Sequence, residues 1–428
     1  MVHNGSVPRT ALARSVTAAD IDAAAVRLDG VAVCTPLERN DRLSRETGAE
    51  VWFKREDLQP VRSYKIRGAY NLVAQLDDAA RAAGVVTASA GNHGQGVAFA
   101  CARLGVRGRV FVPSTTPRQK RMRMRVIGAG WIELVVTGDT YDDSAAAAAD
   151  EAARTGAVLV PAFDDPRTVA GQGTVAAQVV DQLGAAPDVL ALPVGGGGML
   201  AGCLTWLAER APDTRVVGFE PAGAPTLSRA LEAGHPVELA VLDGFVDGAA
   251  VRRAGDLTYA VVAQHAPPVL TVPEGRVCAQ MLAMYQSDGI IAEPAGALAP
   301  AGLGLVELAP GSTVVAVVSG GNNDVSRYAE ILERALVYEG RKHYFLVDFP
   351  QEPGALRRFL DSVLGPDDDI TLFEYVKRSN RETGPALVGV ELGDPATLPD
   401  LLARMAASPM RVEAIDPGST AYRFLVAP

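Results

Sequence analysis

From Val51 to about Val318, short apolar runs rich in β-branched residues alternate with longer alanine-rich stretches, and this alternation constrains the fold more than any other feature. Segments that switch between strand and helix periods build strand–helix–strand units around a parallel sheet, so the fold class is α/β. The expected strands are GVVTA at 84–88, RVFVP at 109–113, IELVV at 132–136, DVLALPV at 188–194, RVVGFE at 215–220 and TVVAVVS at 313–319. Several are apolar nearly throughout, as strands are when helices cover both faces of their sheet. Ser144–Ala153 and Ala176–Leu183 read as helices, and helix propensity accounts for the alanine run at 145–149.

The pattern changes after the helical stretch Ser326–Tyr338 and the polar hinge EGRK at 339–342. HYFLVDF at 343–349 reads as a strand, PGALRRFLDSVL at 353–364 as a helix, and ITLFEYVKR at 370–378 and ALVGVEL at 386–392 as two more strands. A helix at about Ala396–Ala407 and a strand near Arg411–Ile415 complete the order βαββαβ, the ferredoxin-like α+β arrangement. The expected plan is a flexible leader at 1–17, a main unit at 18–325 with a smaller subdomain inserted at 60–160, a linker helix and hinge at 326–341, and a final domain at 342–428. That last domain has no cluster of nucleophile, acid and base, which points to binding rather than catalysis.

A length of 428 residues allows two or three compact units at roughly 150 residues each. With 48% hydrophobic and 21% charged residues, no run long enough to span a bilayer and no signal-peptide core, the composition is that of a soluble enzyme without a membrane partner. The net charge of −10 opposes any general affinity for nucleic acid. The basic cluster RQKRMRMR at 118–125 reads as a solvated helix face. Cys34, Cys101, Cys203 and Cys278 are far apart with no CxxC pair, which fits a reducing cytoplasm and suggests neither disulfides nor zinc.

Three segments carry chemistry together. Lys65, in SYKIRG at 63–68, stands at the start of a predicted helix Ile66–Gln75; alone, such a lysine is usually a solvated charge. SAGNHGQG at 89–96 follows a strand and precedes a helix, where small residues and helix-opening N–H groups form an anion site suited to an amino-acid carboxylate. Asn92 there can instead be only an N-cap, and His93 a surface or satisfied histidine. Gly195–Gly198 follows DVLALPV, and four consecutive glycines suggest that a ligand touches the backbone. No Lys-Ser/Thr pair follows and the G-x-G-x-x-G spacing is not met, so a phosphate monoester suits the run better than a nucleotide. An amine, a phosphate cradle and Ser319, a neutral partner for a pyridine nitrogen, together suggest pyridoxal phosphate. A turn or N-cap serine is the plainer role for Ser319. A serine there deepens the electron sink less than a carboxylate would, which favours β-elimination over transamination.

With these residues in view, the chain closely resembles the threonine dehydratases of the fold-type II, tryptophan-synthase-β-like pyridoxal phosphate enzymes. The segments that carry the resemblance are KREDLQPVRSYKIRGAYN at 54–71, SAGNHGQGVAFA at 89–100, PVGGGGM at 193–199, EPAGA at 293–297 and VVSGGNND at 317–324. The resemblance implies two parallel-sheet subdomains, with Lys65 bound to the cofactor aldehyde as a Schiff base and Asn92 bonded to its 3′ oxygen. It also implies a phosphate loop of Gly195, Gly196, Gly197, Gly198 and Met199, with Ser319 at the pyridine nitrogen. Ser89, Ala90, Gly91, Asn92 and His93 would hold the substrate carboxylate, and Lys65 would remove the α proton of threonine on the way to 2-oxobutanoate and ammonia. PQEPGALRRFL at 350–360 resembles the ACT-like regulatory domain of the short biosynthetic form, a homotetramer inhibited by isoleucine and often opposed by valine.

Serine racemases bind a divalent cation where this chain has Glu220, Ala224 and Thr226; threonine in place of aspartate removes an anionic ligand, so no metal is expected. The competing functions are a catabolic serine/threonine dehydratase and a non-catalytic amino-acid sensor whose pyridoxal site is vestigial.

Overall fold

A computed structural model describes residues 16–375 and 382–422. Most of the expected leader, the residues 376–378 of the strand ITLFEYVKR and the last six residues lie outside them. The chain divides into two compact units, one of residues 1–273 and 287–323, the other of 274–286 and 324–428.

The first unit contains two sheets. One has six strands in the order β1-β2-β10-β7-β8-β9, formed by β1 (Leu37–Arg39), β2 (Glu50–Arg55), β7 (Val189–Pro193), β8 (Arg215–Pro221), β9 (Val269–Val272) and β10 (Thr313–Val318). All its pairings are parallel except that of β1 with β2. The other is wholly parallel, in the order β5-β4-β3-β6, from β3 (Val85–Ala88), β4 (Gly108–Val112), β5 (Ile132–Val136) and β6 (Val158–Leu159). The apolar run of β7 is buried at every position, and Leu190, Leu192, Val315 and Val317 join Ile21, Val175 and Leu200 in the main core.

Three helices pack closely beside this core: Lys65–Ala74, Pro166–Leu183 and Gly198–Arg210. They approach through glycine, since a Cβ on Gly68 would lie 2.7 Å from Thr168 O and one on Gly171 2.6 Å from Arg67 O. The first of these helices is also anchored by charge. Arg67 donates from Nε and Nη2 to the two carboxylate oxygens of Glu56, each at 2.8 Å, and the pair is 1% and 0% exposed. Thr35 Oγ1 adds a bond to Glu56 at 2.6 Å, while Arg67 also reaches Thr174 and Gln178. Burial opposes the charge of Glu56, yet Arg67 beside it holds the carboxyl below the ordinary glutamate range.

The second unit is built on an antiparallel sheet ordered β12-β13-β11-β14, from β11 (Lys342–Pro350), β12 (Asp369–Tyr375), β13 (Thr383–Glu391) and β14 (Arg411–Ala414). Phe345, Val347 and Phe349 alternate inward along β11 while Leu346 is exposed, the period-two pattern of a sheet with one covered face. Helices Ala355–Val363 and Leu398–Ala407 supply Phe359, Leu401 and Met405 to that core, with the Phe349 and Phe359 rings edge to face at 5.2 Å. The helix Glu274–Gln286, distant in sequence, lies along Tyr328–Tyr338 in the same unit. Among the described residues no helix is long and apolar enough to cross a membrane.

Candidate active site

In the first unit, segments that follow the carboxyl ends of parallel strands β2, β3, β7 and β10 contribute to one cavity of about 690 Å³. Lys65, Ser89–His93, Gly195–Met199 and Asn322 all line it.

Lys65 opens its helix after the 3-10 turn Glu56–Leu58 that follows β2. Its Nζ donates to Ala162 O at 3.0 Å. Burial pushes the amine down to about 8, partly opposed by the charge of Glu293, so near neutrality a share of it is the free base. A free amine enclosed in a cavity can act as nucleophile or as base.

Ser89, Ala90 and Gly91 form the turn between β3 and the helix Asn92–Leu104. The opening N–H groups of a helix lack intrahelical acceptors and favour an anion. The His93 side chain is already committed and is not free to meet an anion. Its Nε2 stands 2.8 Å from Val160 O, an acceptor only, so Nε2 carries the proton and Nδ1, which has no partner, is left as a lone pair. Burial, then the charge of Lys65, push the ring down to about 3, and a neutral ring with an accepting nitrogen offers a carboxylate nothing.

The glycine run turns from β7 into the helix Gly198–Arg210, with Gly197 at φ 87°. A Cβ on Gly196 would collide with the Phe163 ring, and one on Gly198 would come within 3.0 Å of Phe163 Cβ. Thr258 Oγ1 donates to Gly196 O at 2.7 Å and fixes the loop from behind. Bare backbone at a helix opening makes a cradle for a phosphate.

Ser319 follows β10 and is buried, outside the residues that line the cavity. Its Oγ donates to Ala295 O at 3.1 Å. To serve a pyridine nitrogen as donor, that proton must leave Ala295.

Sequence reasoning passed over several wall residues. Glu293 and Asn322 lie inside segments singled out as specific, but neither has a role until the fold brings it to Asn92. Asn92 Nδ2 donates to Glu293 Oε1 at 2.5 Å, and Asn322 Nδ2 donates to Asn92 Oδ1 at 2.7 Å. The basic cluster forms the helix Arg118–Gly128, largely exposed, except that Lys120 reaches the cavity wall and pairs with Asp247 at 2.5 Å. Glu220 is buried and spends its carboxylate on Leu227 N at 2.6 Å, Ser228 N at 2.9 Å and Ser228 Oγ at 2.7 Å, fastening the helix Thr226–Ala233. Cys34 is exposed, the other three cysteines are buried, and all four are free thiols.

Residues 29–320 match the family described as pyridoxal-phosphate dependent enzyme, and residues 333–425 match the C-terminal regulatory domain of threonine dehydratase. A biosynthetic L-threonine dehydratase IlvA of Mycobacterium bovis is 63% identical over 414 residues, 96% of each chain. Its counterpart in Corynebacterium glutamicum is 55% identical over 418 residues, again 96% of each. Among solved structures, the processed form of threonine deaminase isoform 2 from Solanum lycopersicum aligns with a TM-score of 0.71 at 36% identity, covering 74% of this chain and 87% of that one. A lysine and a glycine cradle on one cavity, within a match of this extent, place the chain in the pyridoxal-phosphate dependent enzymes, among their biosynthetic threonine dehydratases with a C-terminal regulatory domain.

Proposed function

We propose that this chain converts L-threonine to 2-oxobutanoate and ammonia by β-elimination, the first committed step toward isoleucine. The observation that carries the reading is the joint enclosure of the Lys65 amine and the Gly195–Met199 backbone in one cavity. The residues fit pyridoxal phosphate: the only buried base needed is an amine held by a single carbonyl, and the cradle's missing side chains leave N–H groups for a phosphate. When bound, the cofactor supplies an aldehyde for amino groups and a conjugated ring that draws electrons from the substrate's α carbon.

The chain's own residues then divide the work. Lys65 Nζ would take the α proton, and its lowered basicity keeps it from being held permanently as ammonium. The backbone of Ser89, Ala90, Gly91, Asn92 and His93 orients the carboxylate. Gly195–Met199 would hold the cofactor's phosphate, Asn92 its 3′ oxygen and Ser319, once its proton leaves Ala295, the ring nitrogen. The domain at 342–428 takes isoleucine as inhibitor, with valine opposing it, and the assembly is a homotetramer in the cytoplasm; the family's named regulatory domain supports the first and the four free thiols the last.

Purified protein loaded with pyridoxal phosphate is assayed for oxo acid from threonine and from serine, with and without isoleucine. Threonine turnover suppressed by isoleucine is expected. Lys65→Ala lowers turnover by about 10⁴-fold or more, the scale of a lost base and nucleophile. Oxo-acid formation indifferent to isoleucine would sink the biosynthetic reading, and wild-type turnover by Lys65→Ala would sink the site.

A further inference from the structure

Glu293 stands on the cavity wall, 4% exposed, immediately before Pro294 opens the helix Pro294–Gly302. The chemistry above leaves it without a task. Its bond from Asn92 Nδ2 and the bond from Asn322 to Asn92 Oδ1 hold the Asn92 amide at both ends. Asn322 is itself steadied, since its Nδ2 also donates to Val61 O at 2.9 Å. A carboxylate can only accept, so it selects the Nδ2 end of the amide and dictates which way Asn92 faces. Glycine makes the room: a Cβ at Gly320 would overlap the Glu293 carboxyl and lie 3.3 Å from Asn92 Nδ2, and one at Gly248 would lie 3.9 Å from the same nitrogen.

We propose that Glu293 is a positioning residue that fixes the orientation of the Asn92 amide toward the cofactor's ring oxygen, and that the proton on Glu293 sets how firmly it does so. The inference rests on the role proposed for Asn92. Burial, then the charge of Asp247, push the Glu293 carboxyl up to about 7, against the Asn92 amide, Lys120 and the Asn322 backbone, which favour the ionised form. The charged groups that face it are Lys65 from the helix Lys65–Ala74, Lys120 from the helix Arg118–Gly128 and Asp247 from the segment before Gly248; Tyr64 faces it as a neutral phenol, its ionisation pushed up by burial. A bond to an ionised acceptor is roughly twice as strong as a neutral one, so the hold on Asn92 loosens as pH falls through about 7.

Glu293→Gln and Glu293→Ala are compared with wild type. In the holoenzyme, the visible absorbance of bound pyridoxal phosphate is followed against pH. Wild type is expected to show a transition with its midpoint near 7, which Glu293→Gln, keeping an accepting oxygen, loses while retaining the band. Glu293→Ala is expected to lose at least about tenfold in kcat, the weight of one charge-assisted hydrogen bond. A cofactor-free readout comes from thermal unfolding of the apoprotein. A carboxyl raised from 4.5 to about 7 keeps its proton when folded and sheds it when unfolded, so wild-type stability, taken as the difference from Glu293→Gln at each pH, falls as pH rises across that window. An absorbance transition that persists in Glu293→Gln, or parallel stability curves, overturns the inference. A wild-type protein that shows no cofactor band at all overturns the site assignment beneath it.

Discussion

Glu56 and Glu293 are glutamates of the same unit, both almost fully buried, yet they stand at opposite ends of carboxyl behaviour. Glu56 meets the planar fork of Arg67 and is held below the ordinary range, whereas Glu293 meets an amide and the nearby charge of Asp247 and is pushed up to about 7. Burial is common to both, so the facing group decides the titration. A saturated pair builds a rigid support for the helix that starts at Lys65; an unsaturated one leaves a group able to change charge beside the cavity.

The comparison breaks most visibly at Arg67. Arg67→Ala leaves Glu56 buried without its cation, and urea unfolding should report a loss of about 3–5 kcal/mol. Replacing both partners by apolar residues of similar volume, Glu56→Leu with Arg67→Met, should recover most of it. A loss below about 1 kcal/mol in the single variant would mean the pair is no anchor.

His93 sharpens the contrast, because burial and then the like charge of Lys65 keep its ring neutral. As pH drops below the ordinary 6.5, the unfolded chain protonates this ring while the folded one stays neutral down to about 3. The ring's own contribution to stability should therefore fall with acidity across that window by about 1.4 kcal/mol per pH unit, opposite in sign to that of Glu293. His93→Gln should lose that contribution, so its stability gains on wild type as pH falls, and parallel curves for the two proteins would place the ring's proton elsewhere.

The smallest effect is at the cavity rim. Lys120 and Asp247 are partly exposed, so a double-mutant cycle on KM should give a coupling below about 1 kcal/mol, weaker still in high salt. Asp247→Asn should also move the Glu293 midpoint downward, since it removes a charge that pushes that carboxyl up.

Much of this was legible in the chain itself. Apolar runs such as DVLALPV could only be covered strands, and β7 is buried along its whole length. The glycine run could be recognised as a cradle because four bare positions are costly unless backbone is wanted there. What stayed hidden depends on approach in space. Glu293 lies 201 residues from Asn92, and no local pattern announces that the two will share a hydrogen bond. The commitment of the His93 ring to Val160 and of Ser319 Oγ to Ala295 is equally tertiary. Sequence reveals which groups a segment carries, but only the fold reveals which of them are already spent.

The helix Glu274–Gln286 carries a lesson for anyone wishing to remove the C-terminal regulatory domain by shortening the gene. Val277, Cys278, Met281 and Met284 on that helix are buried, and the helix lies along Tyr328–Tyr338 in the second unit although its codons fall well before it. A stop placed after Asn323 would keep the helix and delete its companion, leaving a sticky apolar stripe on an otherwise finished catalyst. Point changes within the residues that match the regulatory domain are therefore a sounder way to alter it than amputation.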